Sequence, residues 1–172
     1  MQTSCAAGPA GVAMLVCWTI ALTLSGCGES AAERSAAAKA QQAAELARDP
    51  DFADPLGQLL LQRANERASG WVKHDRVLRG TLTERGRQSF LSVLPFGRCY
   101  RFLAVSGAGA IDLDLALFDG NGVEVSRDVT EDSTPDLGIA ASICPGEASQ
   151  YRVEARMRRG HGDFALGVFR ND

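Results

Sequence analysis

The sequence predicts a mainly β protein, an antiparallel and jelly-roll-like β-sandwich preceded by a signal peptide and a short helical segment. Three observations carry this. Ile111, Leu113, Leu115 and Leu117 alternate with Asp112 and Asp114, which is the period of a half-buried strand. The Asp119-Gly120 and Asn121-Gly122 steps that follow tolerate positive φ, and Val123-Glu124-Val125 resumes the alternation, so the stretch reads as a hairpin. Further short alternating stretches surround it, too closely spaced to leave room for the crossover helices that parallel strands need.

Taken in order, the chain begins with an address. From Val12 to Leu24 it is apolar and uncharged, but shorter than the ~18 to 20 residues that cross a bilayer with confidence, so residues 1–26 read as a signal peptide. Leu24-Ser25-Gly26-Cys27 resembles the lipobox of bacterial lipoproteins, where the cysteine is diacylated and then exposed as the new N-terminus by cleavage. The resemblance implies lipidation of Cys27, and two or three acyl chains on one residue exceed the two signals that stable anchoring needs. Met1 to Ala10 departs from such signals in carrying no Lys or Arg. Gly28 stands where an Asp favours inner-membrane retention, so outer-membrane sorting is expected.

Residues 27–54 read as an Ala-rich tether, helix-favouring, with Leu46 as the only large apolar side chain between Ser30 and Arg48. Asp49-Pro50-Asp51 breaks it. Residues 55–70 read as a short amphipathic helix: Asp54 is an N-cap, Pro55 suits the first helical position, and Leu56, Leu59, Leu60, Ala64 and Ala68 follow at helical spacing until Ser69-Gly70. Packing of this stripe on the chain's own sandwich is expected, with a partner as the alternative occupant.

Residues 76–172 form the sandwich. Strands are expected over Arg76–Thr83, Gln88–Leu94, Arg98–Val105, Ile111–Phe118, Val123–Asp128, Leu137–Cys144, Tyr151–Met157 and Phe164–Phe169. Turn chemistry separates them at Arg85-Gly86, Pro95-Phe96-Gly97, Ser106 to Gly109, Pro145-Gly146 and Gly160-His161-Gly162. The ordered motifs Gly97-Arg98-Cys99-Tyr100-Arg101-Phe102, Asp112 to Asp119 with Gly122, Tyr151-Arg152-Val153-Glu154-Ala155 and Gly162-Asp163-Phe164-Ala165-Leu166 resemble the bacterial pre-peptidase C-terminal domain family. That family is a β-sandwich appended to secreted proteases and related to the collagen-binding domains of bacterial collagenases. The resemblance spans about Arg79 to Arg170, with two departures: Phe164 stands where a Tyr is common, and no peptidase precedes the domain, so with the lipobox a lipid-anchored, free-standing version is expected.

Composition and motifs then narrow the chemistry. A net charge of −3 on 172 residues, with no basic tail, zinc-finger spacing or RNA-recognition motif, argues against nucleic acid. No Gly-x-Ser-x-Gly elbow, His-Glu-x-x-His, Walker loop or dinucleotide fingerprint occurs, and the two histidines, His74 and His161, lack a nucleophile context. Neither catalytic residues nor a cofactor is assigned. Export puts Cys99 and Cys144, at a strand start and a strand end, in an oxidising compartment, so a disulfide between them is expected.

Charge is uneven. Asp112, Asp114, Asp119 and Asp128 lie in an acidic stretch, while Arg152, Arg156 and Arg158 crowd the last strands, and these seven are the candidate ligand-binding residues. Asp112 and Asp114, two apart on a strand, share a face and need an offset: water, arginines of a neighbouring strand such as Arg152 or Arg156, or calcium with the Asp119 turn or Asp128. The oxygens are too dispersed for a sequence-local calcium loop, so no metal is assigned and thermal stability insensitive to calcium is expected. The arginines could instead take an anionic glycan or a lipopolysaccharide phosphate. The functional expectation is a lipid-anchored, non-catalytic envelope protein, periplasmic or at the cell surface, whose sandwich binds an envelope protein or anionic glycan or serves structurally. An envelope-polymer hydrolase with an unrecognised active site is the competing class.

Overall fold

The computed structural model describes residues 30–172, so the signal peptide and Cys27 lie outside the described residues. Two helices, α1 (Ala31–Leu46) and α2 (Pro55–Arg67), precede nine strands. These are β1 (Val72–Lys73), β2 (Leu78–Leu82), β3 (Arg87–Leu94), β4 (Tyr100–Ser106), β5 (Ala110–Phe118), β6 (Glu124–Arg127), β7 (Asp136–Leu137), β8 (Ser149–Gly160) and β9 (Gly162–Arg170). All pairings are antiparallel and form two sheets. One runs β1-β9-β4-β7 with β2 also on β9; the other runs β3-β8-β5-β6. The mainly β class and the two-sheet architecture are those the sequence predicts. Among consecutive strands only β5 and β6 pair with each other, so the hairpin read from Asp119 to Gly122 closes one edge of the second sheet.

The sandwich core lies between the sheets, where Tyr100, Phe102, Leu113, Leu115, Leu117, Val153, Met157, Phe164, Leu166 and Val168 meet. A second core lies on the other face of the first sheet, where Leu103 and Val105 of β4 and Ala165 and Phe169 of β9 receive Phe52, Leu60, Leu61, Ala64 and Ala68. Strands covered on both faces bury every residue in turn, hence the unbroken apolar run of Phe164-Ala165-Leu166-Gly167-Val168-Phe169. The molecule is therefore three layers: helix, sheet and sheet.

Helix α2 docks on its own sandwich, as expected, but by a face rotated from the expected stripe. Leu61 is buried while Leu59 is about half exposed. The rotation follows from Gly57, pressed so closely on the preceding segment that a Cβ there would stand 2.7 Å from Phe52 Cα. At its far end, Arg63 and Arg67 both bond Asp136 Oδ2 at 3.0 Å, tying the helix to β7.

The segment read as tether behaves in two ways. Helix α1 buries no residue and starts with a capping box, the Ser30 hydroxyl accepting from Glu33 N at 3.2 Å and the Glu33 carboxylate from Ser30 N at 2.7 Å. Residues 50–52 instead form a 3₁₀ turn whose Phe52 is fully buried. Lys73 Nζ holds two carboxylates of this segment, that of its N-cap Asp49 at 2.6 Å and that of Asp51 within the turn at 2.5 Å.

Two strand expectations need correction. Leu137–Cys144 is not one strand: Asp136 and Leu137 pair with β4, the chain leaves the sheet, and only Ile143 returns, as an isolated bridge to Tyr100. Gly138 explains the departure, because its φ of 82° turns the backbone in against the Tyr100 carbonyl. Ile111 is exposed rather than inward. It is an extra residue in β5, and Arg158 is a compensating extra residue in β8, so the register shifts after Ala110 and recovers by Leu113. Cys99 and Cys144 form the expected disulfide, joining the residue before β4 to the residue after the Ile143 bridge.

Candidate functional site

The helix covers the outer face of one sheet and leaves that of the β3-β8-β5-β6 sheet open. Alternation decides what that face displays. On β8, Val153, Ala155 and Met157 enter the core, so Arg152, Glu154 and Arg156 point outward. On β5, Leu113, Leu115 and Leu117 are inward, leaving Asp112, Asp114, Ala116 and Phe118 outward.

Three of the four candidate aspartates meet in one shallow pocket of about 330 Å³, lined by Asp112, Asp114 and Asp128 with Arg127, Thr130 and Arg158 among its other walls. They are buried, with Asp112 at 7%, Asp114 at 6% and Asp128 at 7% exposure, because the chain after β6 folds back over β5. Two backbone bonds pin it there: Asp128 N donates to Leu115 O at 2.9 Å, and Leu113 N donates to Asp132 O at 2.9 Å.

The fourth, Asp119, is elsewhere. Its Oδ1 accepts from Asn121 N and Val123 N, both at 2.9 Å, so it shapes the hairpin turn rather than facing a ligand.

Arginine does offset the aspartates, but from other positions than the alternation suggests. Arg158 Nε donates to Asp114 Oδ2 at 2.5 Å, and Arg159 Nε lies 3.6 Å from Asp112 Oδ2. Arg156 is the direct cross-strand neighbour of Asp114, yet the extra residue in β8 brings Arg158 round to take that carboxylate. Arg152 lies outside the pocket, its guanidinium 3.9 Å from the Phe118 ring centroid and 3.2 Å from Glu154 Oε2. The seven candidates therefore form one acidic pocket containing Arg158, an outer-face row containing Arg152 and Arg156, and a turn residue, Asp119. Sequence reasoning missed Arg159, Arg127 and Thr130 as pocket neighbours. The Arg158-Arg159 pair before Gly160 was the available sign, since two successive charges in a half-buried strand disturb its alternation.

Electrostatics single out Asp128. Burial pushes its carboxyl above the usual carboxylate range, and the charges of Asp132 and Asp114 add to that, while the Thr130 hydroxyl, donating at 2.9 Å, opposes. A carboxylate whose folded pKa is raised binds its proton more readily in the native state. Its charge therefore costs stability above the folded pKa, and the cost disappears below the unfolded value. Asp128→Asn should raise the urea midpoint at neutral pH, and that gain should shrink as the pH falls through the native pKa of Asp128 and vanish below its unfolded value. A variant less stable than the native protein at neutral pH would overturn the assignment.

Among the described residues no cluster of three His, Cys, Asp or Glu is placed to hold a metal ion. His74 lies apart from the pocket, its Nε2 2.8 Å from Val93 O and its ring edge-on to Tyr100. His161 sits in the turn between β8 and β9, its N donating to Gly109 O at 3.0 Å.

Fold and site together define a class: a two-sheet antiparallel sandwich with one helix-covered face and one open, charge-patterned face. No protein-family model and no curated protein matches the chain. Among solved structures, the chain is similar to the pre-peptidase C-terminal domain of a Bacillus anthracis collagenase, at TM-score 0.42 and 11% identity over 54% of this chain and 86% of that one. It is also similar to a periplasmic inhibitor of g-type lysozyme from Aeromonas hydrophila, at TM-score 0.40 and 15% identity over 58% of this chain and 88% of that one.

Proposed function

We propose that this is a lipid-anchored cell-envelope protein, sorted to the outer membrane, whose sandwich is a non-catalytic binding or structural module. Its domain resembles the pre-peptidase C-terminal family through the motifs between Arg79 and Arg170. The observation that carries the envelope reading is the Cys99–Cys144 disulfide, since such bonds persist in oxidising compartments and are rare in the cytosol. It agrees with the apolar run before Leu24-Ser25-Gly26-Cys27. No helix among the described residues is long and apolar enough to cross a membrane; in this reading the acyl chains on Cys27 hold the protein to the membrane.

The binding reading is supported by the open outer face. There Leu91 and Val93 of β3 and Val125 of β6 are exposed beside the arginine and carboxylate rows, a mixture suited to an envelope protein or an anionic glycan. Cys27→Ser should move the protein from the membrane pellet to the soluble fraction or stall it as a precursor, and fractionation of the native host checks this. Recovery of mature protein that still begins at Met1 would refute lipidation.

A further inference from the structure

We propose that Arg87 and Arg156 form a binding site for a phosphate-type oxyanion on the open face of the β3-β8-β5-β6 sheet. The two are direct cross-strand partners, and both belong to the outward-facing set of their strands. Like charges placed opposite one another in a sheet repel, and stable sheets place an acid there instead. Neither arginine makes an ion pair among the described residues.

The acids that could relieve them are committed elsewhere. Asp114, the partner of Arg156 on β5, is held by Arg158 at 2.5 Å. Glu154, the next outward residue along β8, accepts from Arg152 at 3.2 Å and from the Ser89 hydroxyl at 3.5 Å. Asp114 faces Arg156 across the strands, but its Oδ2 is taken by Arg158, so Arg156 is left without an ion pair. Two arginines opposite one another on neighbouring strands, neither in an ion pair, suit an anion with several oxygens, because each guanidinium fork can donate two parallel hydrogen bonds. A phosphate group meets that need, whether it is carried on a sugar or on a lipid headgroup. The site deepens the binding reading above and rests on it only in naming the envelope as the source of the ligand.

The test is thermal melting of the full-length protein in a non-ionic detergent at low ionic strength, with millimolar inorganic pyrophosphate. The melting temperature should rise by several degrees, and Arg156→Gln should lose most of that rise. Arg87→Glu places an acid opposite Arg156, so it should melt above the native protein without any anion and should ignore pyrophosphate. No rise in the native protein, or an equal rise in Arg87→Glu, overturns the site.

Two further arms identify the source. A response to a sugar phosphate that depends on Arg87 assigns the site to glycans, and one confined to phosphatidylglycerol in the micelles assigns it to lipid headgroups. Failure of this experiment leaves the Cys27→Ser fractionation untouched, so the two readings fail separately.

Discussion

Replacing Cys99 and Cys144 together by serine should lower the free energy of unfolding by about 4 kcal/mol, the chain-entropy value for a loop closed over a separation of 45 residues. The loop is long in topology as well as in sequence. Between its ends lie β4, β5, β6 and β7, of which β4 and β7 belong to one sheet and β5 and β6 to the other, so the reduced unfolded chain recovers the freedom of much of the sandwich. The bond also repeats a tie that is already made locally: Tyr100 N donates to Ile143 O at 2.7 Å and Ile143 N to Tyr100 O at 3.1 Å. The native state can therefore keep its geometry without the sulfurs, and the cost should appear mainly through the unfolded state. Urea unfolding of the double variant beside the oxidised native protein measures it. The double variant is preferred to a single one because it leaves neither Cys99 nor Cys144 as an unpaired thiol. A difference below about 1 kcal/mol would mean that the unfolded chain holds these segments together by other means.

What the sequence disclosed, and what it hid, divides on locality. The β5–β6 hairpin was legible because Asp119, Gly120, Asn121 and Gly122 act on their own neighbours, and Asp119 caps the turn from within it. The disulfide was legible from compartment and strand position. The offset of Asp112 and Asp114 was legible in kind but not in partner. An alternation assumes an unbroken register, and one extra residue in each of β5 and β8 moved Ile111 outward and exchanged Arg156 for Arg158. Such a bulge has no composition of its own and depends on how two distant strands are matched. The same holds for residues 136–144, where Gly138 breaks a stretch that reads as continuous. The β9 run was legible as a strand, but its two-sided burial required knowing that α2 returns to cover it.

Phe52→Ala should cost about 3 to 5 kcal/mol, the range for removing a fully buried aromatic ring from a core. Nothing in the sequence marks this residue, which follows an Ala-rich spacer and a proline, yet it is entirely buried among Leu60, Leu61, Ala64, Val77, Leu103 and Phe169. Its surroundings are poorly placed to collapse into the space. Gly57 already presses against this segment, so closely that a Cβ there would stand 2.6 Å from the Asp51 carbonyl oxygen. Lys73 cannot follow the ring inward either, because its ammonium, 5.6 Å from the ring centroid, is fixed by Asp49 and Asp51. A cavity should therefore persist, and its cost falls first on the layer that the ring holds in place. Hydrogen exchange should show amides of α2 losing more protection than those of β8, whose core lies between the sheets and does not include Phe52. Pyrophosphate should still raise the melting temperature of the variant, since Arg87 and Arg156 lie on the other sheet. A loss of less than about 1 kcal/mol, with α2 and β8 equally protected, would show instead that residues 49–52 are a detachable continuation of the tether.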